Sequence, residues 1–212
     1  MPVLAYIIIT FAAYLLGSIP TGYLVARAKG VDIRTVGSGN IGATNAFRVL
    51  GKPAGIFVLA ADGLKGYAAG DWLCDLLIPL LSIPSTDAET IRIVAGIAAV
   101  LGHNYTCWLR FKGGKGIATT GGVYFALAPL AAGIAITAWV VLFLLTRYVS
   151  VASIAAAIAL PTAVWFTSDS LLLGIVTTAL GLMAIAKHKG NIQRLFKGTE
   201  SRINWGGKRS HV

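Results

Sequence analysis

IATTGGVYFALAPLAAGIAITAWVVLFLLT, residues 117–146, carries no charged residue and decides the fold class. A helix that crosses a bilayer needs ~20 apolar residues, so this stretch is too long for one ordinary span. Pro129 interrupts it, and proline cannot continue the helical hydrogen-bond pattern. We therefore predict a tight hairpin of two short transmembrane helices here.

The same reasoning divides the apolar stretch from Val149 to Ala186 at the polar residues 167–170. Three further stretches are long and apolar enough to span a membrane, namely Val3–Ala26, Ala54–Trp72 and Ile91–Leu109. The sequence thus predicts an all-α polytopic membrane protein with seven transmembrane helices. A five-helix alternative, in which each long stretch crosses once, stays open.

Composition agrees with a membrane protein. Of the 212 residues, 56% are hydrophobic and 12% are charged, and the mean hydropathy is +0.76; soluble domains carry ~25% charged residues. We expect one transmembrane domain over 1–212, with 203–212 as a flexible tail. No basic region precedes the apolar N-terminus, which favours a retained first helix over a cleaved signal peptide.

Charge placement predicts the orientation. The net charge of +10 could suggest a nucleic-acid binder, but the cations lie in short loops between spans, which is typical of the cytoplasmic side of membrane proteins. Under the seven-helix scheme all lysines and arginines except Lys65 and Arg92 fall on one side. The other side holds Asp71, Asp75, Asp87, Glu89 and Asp169. We therefore place the N-terminus outside and the C-terminus in the cytoplasm.

The first glycine-rich string is Gly37-Ser38-Gly39-Asn40-Ile41-Gly42. Its spacing matches a dinucleotide-binding loop, but no strand precedes it, so that interpretation fails. Glycine permits close backbone approach, and a helix over 43–50 would direct its positive end towards an anion. The hydrogen-bonding residues around it favour a phosphate site over a simple turn; they are Ser38, Asn40, Thr44 and Asn45, with Arg48 and Lys52 behind.

The second string is Lys112-Gly113-Gly114-Lys115-Gly116. It lacks the spacing of a Walker A loop. Backbone N–H groups beside lysine charges form an anion cradle, although a flexible basic loop is the simpler alternative. Two such strings at the ends of membrane spans suggest a substrate that is part phosphate and part lipid.

A third polar cluster follows the last span and contains His188 and Asn191, three residues apart. On a continuing helix the two would share a face. His188 is either an interfacial side chain, a proton acceptor or a donor to a developing oxyanion; His103, inside the third helix, and His211, in the tail, are set aside. Asp62 and Lys65 are expected to form an ion pair within the second helix, with a direct role in substrate binding as the alternative.

Other chemistries find no support in the sequence. Cys74 and Cys107 form neither a disulfide framework nor a metal-ligand cluster. We expect no metal and no cofactor.

With these motifs assembled, the sequence resembles the bacterial acyl-phosphate:glycerol-3-phosphate acyltransferases, the PlsY family. The similarity is densest over 17–51, 101–116 and 188–200. It implies a seven-helix bacterial inner-membrane enzyme with its site facing the cytoplasm. Such enzymes transfer a fatty acyl group from acyl phosphate to the 1-hydroxyl of sn-glycerol 3-phosphate, which yields lysophosphatidic acid and phosphate.

The resemblance also implies roles for individual residues. The family's essential serine and arginine correspond to Ser38 and Arg48, and its third motif to His188, Asn191 and a supporting Glu200. The glycerol-phosphate loop corresponds to 112–116, with Lys115 as the main charge contact. Two residues depart from the family pattern, since Thr106 replaces a proline and Lys187 an arginine. Contact with the enzyme that forms acyl phosphate is a further expectation.

Two questions stay open at this level. The base that takes the acceptor proton is either His188 or a phosphate oxygen of the donor. A membrane transporter for a phosphate-bearing solute is the rival function, because basic glycine loops and a buried ion pair would also fit it.

Overall fold

The computed structural model describes residues 2–203, and within that range it contains helices and no strand. This confirms the all-α prediction. The helices are α1 Pro2–Ser18, α2 Thr21–Ala28, α3 Ala43–Leu50, α4 Lys52–Gly70, α5 Trp72–Leu80, α6 Ala88–Asn104, α7 Ile117–Leu127, α8 Pro129–Thr146, α9 Val149–Thr167, α10 Leu171–Lys187 and α11 Lys189–Phe196.

Three helical segments are long and apolar enough to cross a membrane by themselves: Val3–Ala28, Pro129–Thr146 and Val149–Thr167. A fourth is the pair α10 and α11, which is bent by 52°. Each of the seven predicted stretches is helical. How many of them cross the bilayer, and on which side the termini lie, remain predictions.

Both predicted breaks in the long apolar stretches are present. α7 ends at Leu127 and α8 begins at Pro129, where the missing proline N–H is tolerated because the first helical N–H groups have no intrahelical acceptor. α9 ends at Thr167, and Ser170 begins α10 by accepting a hydrogen bond from the Leu173 N–H. Local sequence chemistry explains both breaks.

Two predicted helix boundaries were wrong. The first span is not one helix, because Pro20 separates α1 from α2. The third helix ends at Asn104 rather than at residue 109, and N–H groups of the loop that follows it bind its last carbonyls. The first difference arises from a proline, and the second from a loop that folds back onto the helix end.

Helix α5 lies between two of the predicted spans and was not predicted. It is a short apolar helix whose Cys74 is buried against α1 and α6. At the first residue of the predicted tail, the Ile203 N–H donates to the Arg147 carbonyl at 3.0 Å, and the tail itself stays a prediction. Residues 204–212, with His211, lie outside the described residues.

Helix α4 lies at the centre of the fold and packs closely against α7. A Cβ atom at Gly66 would overlap the Thr119 carbonyl oxygen, and one at Gly122 would overlap that of Gly63. α1 and α6 approach each other in the same way at Gly17. Small residues let apolar helices associate through close backbone contact. This packing sets the distance between the glycine-rich strings that precede these helices.

Candidate active site

One cavity of about 1180 Å³ brings the three polar motifs together. It lies between α4 and α7 on one side and α8, α9 and α10 on the other, with α3 and α11 at its polar end. Predicted site residues that line it are Gly37, Ser38, Asn40, Gly42, Thr44, Asn45, Arg48, Asp62, Lys115, Gly116, His188, Asn191 and Glu200. Gly39, Lys65, Lys112, Gly113 and Gly114 are not among its lining residues.

The other end of the cavity is apolar. One face of α9 runs along the cavity from Val149 and Ser150, next to Glu200, to Leu160 at the apolar end, a length of ~16 Å at ~1.5 Å per residue. On the α4–α8 side the lining side chains are between 40% and 52% exposed, so the cavity opens to the outside of the bundle there; they are Leu59, Leu64, Phe125, Ile136 and Val140. The site therefore has a polar end and a larger apolar part.

Asn45 holds the first glycine string in shape. This side chain is 1% exposed; its Oδ1 accepts the Ser38 N–H at 2.9 Å, and its Nδ2 donates to the carbonyls of Ile33 and Val36. Asn40 Oδ1 accepts the Gly42 N–H at 2.8 Å. The Ser38 and Gly42 amides are therefore already bound within the loop.

What remains available to an anion is the start of α3. The predicted helix over 43–50 is present, and its N-cap, Gly42, provides no side-chain cap. The first N–H groups of a helix have no intrahelical acceptor and favour negative charge. Since Gly42, Ala43 and Thr44 all line the cavity, the positive end of α3 lies at the cavity wall.

The second glycine string is arranged differently from the prediction. The Gly113 N–H donates to the Asn104 carbonyl at 3.2 Å and the Gly114 N–H to that of His103 at 3.0 Å. These amides are occupied, so the expected cradle of bare N–H groups was wrong here, and Lys112 is exposed away from the cavity. Only Lys115 and Gly116 reach the cavity wall.

Lys115 is the central cation of the polar end. Its ammonium donates a hydrogen bond to Asn191 Oδ1. Burial lowers the pKa of Lys115 to about 8; the charge of Glu200 opposes this shift, and the charges of Arg194 and Arg48 act in the same direction as burial. The ammonium is therefore charged at neutral pH but loses its proton more readily than an ordinary lysine.

His188 lies where the helix bends between α10 and α11, so it does not continue one straight helix with Asn191. Its Nδ1 lies 2.8 Å from the Ala184 carbonyl, and the side chain is 3% exposed. Burial, followed by the charge of Lys115, lowers the pKa of His188 to about 4. The imidazole is therefore neutral at pH 7, with its Nε2 free of that backbone bond.

Glu200 ties the third motif together. It accepts hydrogen bonds from Asn191 at 2.7 Å, Arg194 at 2.7 Å and Ser150 at 2.8 Å. Burial acts to raise the pKa of Glu200, but these hydrogen bonds outweigh it and the pKa is lowered. The carboxylate stays ionised and orients Asn191, which in turn contacts Lys115.

His103, which the sequence argument set aside, is brought to the site by the structure. It lines the same cavity, beside Asp62. The expected ion pair is present, with Lys65 Nζ 2.8 Å from Asp62 Oδ1. The only sequence signal for His103 was its place in the same motif as the second glycine string. Within residues 2–203 no group of three or more His, Cys, Asp and Glu side chains could hold a metal ion.

Comparison with known proteins identifies the family. A family model described as glycerol-3-phosphate acyltransferase matches residues 7–198. A glycerol-3-phosphate acyltransferase from Geotalea daltonii is 47% identical over 196 residues, which cover 92% of this chain and 96% of the relative. The chain belongs to the glycerol-3-phosphate acyltransferase family. The relative from Geobacter metallireducens is 50% identical, with 93% and 97% covered.

Two solved structures show the same fold. Both are of PlsY, an integral membrane glycerol 3-phosphate acyltransferase. Its glycerol 3-phosphate form gives a TM-score of 0.84 at 40% identity, with 94% of this chain and 96% of that chain covered. Its lysophosphatidic acid form gives 0.81 at 39% identity, with 94% and 95% covered. This member of the PlsY family is thus a multi-pass membrane acyltransferase.

Proposed function

We propose that this protein transfers a fatty acyl group from acyl phosphate to the 1-hydroxyl of sn-glycerol 3-phosphate, producing lysophosphatidic acid and phosphate. The observation that carries the proposal is the single cavity with a cationic polar end and an apolar end. Both a phosphate headgroup and a hydrocarbon chain would fit such a site. The homologous PlsY structures in glycerol 3-phosphate and lysophosphatidic acid forms support it.

The phosphates would bind at the polar end. Lys115 and Arg48 supply positive charge, and the start of α3 supplies unpaired N–H groups. Ser38 and Asn191 add neutral hydrogen-bonding groups beside them. Because two phosphates meet in this reaction, the cations also offset the repulsion between the substrates, and positioning of this kind lowers the barrier.

The acyl chain would lie along the apolar end. The exposed apolar side chains at the α4–α8 opening give a lipid chain a path from the bilayer without crossing the polar motifs. Acyl phosphate is a mixed anhydride, so its carbonyl is already activated. The reaction therefore needs no covalent acyl-enzyme and no activated side-chain nucleophile.

The acceptor hydroxyl must lose a proton during the transfer. His188 is a weak base, because burial lowers its pKa to about 4. The donor phosphate is the other candidate, because it carries negative charge next to the carbonyl that the hydroxyl attacks and becomes more basic as its bond to the acyl carbon breaks. We infer that a phosphate oxygen of the donor accepts the proton. His188 and Asn191 would then hold the acceptor or the carbonyl oxygen by hydrogen bonds.

The deciding experiment uses purified protein in detergent. It measures phosphate release from acyl phosphate plus glycerol 3-phosphate, with acyl-CoA tested in parallel as donor. We expect turnover with acyl phosphate only, and lysophosphatidic acid as the product. Turnover with acyl-CoA alone would reassign the donor. A transporter would show no reaction without a sealed compartment, so that result would favour the rival function.

The location follows from the same proposal. The protein would reside in the bacterial inner membrane, with the polar end of the cavity facing the cytoplasm, where glycerol 3-phosphate is made. The whole chain would act as one transmembrane domain, and contact with the enzyme that forms acyl phosphate stays a prediction.

A further inference from the structure

Three ionisable side chains form a buried cluster beneath the second glycine string. Asp62 and Lys65 come from α4, and His103 from the last turn of α6. They are 3%, 6% and 6% exposed. Ionisable groups inside a membrane protein are costly and usually functional, yet the proposed reaction assigns no role to any of the three.

The contacts within this cluster are unequal. Lys65 Nζ pairs with Asp62 Oδ1 at 2.8 Å and also donates to the Ile19 carbonyl at 2.8 Å, which links α4 to the break between α1 and α2. His103 Nδ1 lies 3.7 Å from the same Asp62 oxygen and has no hydrogen-bond partner in the described part of the chain. Asp62 is thus neutralised by Lys65, and His103 is its second polar neighbour.

The opposite edge of the His103 ring contacts the loop that carries Lys115. A Cβ atom at Gly114 would overlap the His103 Nε2 atom, so the ring and the loop backbone pack without spare room. The His103 carbonyl accepts the Gly114 N–H at 3.0 Å. Lys115 follows directly along the chain and reaches Asn191 at the polar end of the cavity.

We propose that His103 is a positioning residue for Lys115. Its ring fills the space between the Asp62–Lys65 ion pair and Gly114, and so fixes the loop backbone that directs the Lys115 ammonium into the cavity. The ion pair holds the polar edge of the ring, and Gly114 fits the other edge. An apolar side chain at this position would leave the buried Asp62 carboxylate without its second polar neighbour, which costs free energy. It would also not hold the loop backbone in place.

The first test compares His103→Leu, whose side chain stops short of the Nε2 position, with His103→Gln, whose amide reaches that position next to Gly114. This arm rests on the proposed function. We expect His103→Leu to raise the KM for glycerol 3-phosphate about 10- to 100-fold, the effect of losing one hydrogen bond between the Lys115 ammonium and the substrate phosphate. The KM for acyl phosphate should change less, and His103→Gln should recover most of the loss. Equal loss in both variants would indicate a direct chemical role for the imidazole and overturn the proposal.

The second test does not depend on activity. An amine-reactive reagent is applied to the purified protein, and modification of Lys115 is followed by mass spectrometry, with exposed Lys112 as internal control. We expect faster labelling of Lys115 in His103→Leu than in wild type or His103→Gln. Unchanged labelling in the leucine variant would refute the proposal. This arm still decides if wild type proves inactive, which would reject only the proposed function.

If His103→Leu does not fold in detergent, His103→Asn replaces it in both tests. The asparagine amide reaches the position of Nδ1 but not that of Nε2, next to Gly114. The proposal requires the glutamine variant to keep Lys115 better positioned than the asparagine variant. The reverse order would overturn it.

Discussion

At the scale of single residues, two cations of different character meet at the polar end of the cavity. Lys115 is partly buried and hydrogen-bonded to Asn191, whereas Arg48 is exposed at the opening. A lysine ammonium loses its proton when burial destabilises the charge, but an arginine guanidinium does not. A rise in pH can therefore remove the charge of Lys115 but not that of Arg48.

We predict that kcat/KM for glycerol 3-phosphate falls as pH rises through about 8. The pKa of Lys115 is lowered to about 8, so the ammonium is charged below that pH and neutral above it, and kcat/KM reports the free enzyme. Lys115→Arg should move this alkaline limb to higher pH, measured with initial rates from pH 6.5 to 10. A limb that stays in place in the arginine variant would assign it to another group.

We predict that Arg48→Ala lowers kcat about 10²- to 10³-fold, as for removal of one donor to developing negative charge. The matched control is Arg34→Ala. Arg34 lies in the loop that leads to the same string, but it pairs with Asp32 at 2.7 Å and does not line the cavity. Steady-state assays of both variants provide the comparison, and near-normal turnover of Arg48→Ala would remove this residue from the site.

At the scale of elements, the site depends on the close approach of α4 and α7. α4 carries Asp62, and α7 begins directly after Lys115 and Gly116. Their separation is set by glycines, since Cβ atoms at Gly66 and Gly122 would overlap carbonyl oxygens of the opposite helix. A change in this spacing would move one wall of the cavity relative to the other.

We predict that Gly122→Ala destabilises the protein by about 1–3 kcal/mol, the usual effect of overpacking. The adjacent Gly121→Ala is the control, because a Cβ there meets nothing within 4 Å and alanine favours the helix by about 1 kcal/mol. Thermal unfolding in detergent measures both. Equal stability of the two variants would show that this helix contact does not set the spacing.

At the scale of the whole molecule, one cavity requires the two glycine strings to lie on the same side of the membrane. The structure joins them at a common site, and the charge distribution predicts that this side is cytoplasmic. Two ion pairs join Arg92, near the start of α6, to Asp71, at the end of α4, and to Asp75, in the first turn of α5. That cluster is expected to face the opposite side.

We predict that single cysteines at Lys52 and Lys112 react with an impermeant thiol reagent from the cytoplasmic side only, and one at Glu89 only from the other side. All three positions are exposed. Cys74 and Cys107 are first replaced, and labelling is compared in right-side-out and inverted vesicles. Labelling of positions 52 and 112 from opposite sides would contradict a shared site.

Local chemistry allowed the sequence to predict much of this protein. Hydropathy placed a helix in each of the seven apolar stretches, Pro129 and residues 167–170 placed the breaks, and α3 began where its glycine string ended. The motifs also indicated the family, which the comparisons confirm. Each of these features is determined by residues close together in the sequence, so sequence patterns are sufficient to predict it.

Only the tertiary structure decided how the motifs are used. The Gly113 and Gly114 amides bind carbonyls at the end of α6, and His103 faces Asp62 across two helices. Lys115 meets Asn191 from far along the chain, and the buried pocket around His188 lowers its pKa. Such contacts join residues that are distant in sequence, and they depend on helix packing that no local pattern encodes.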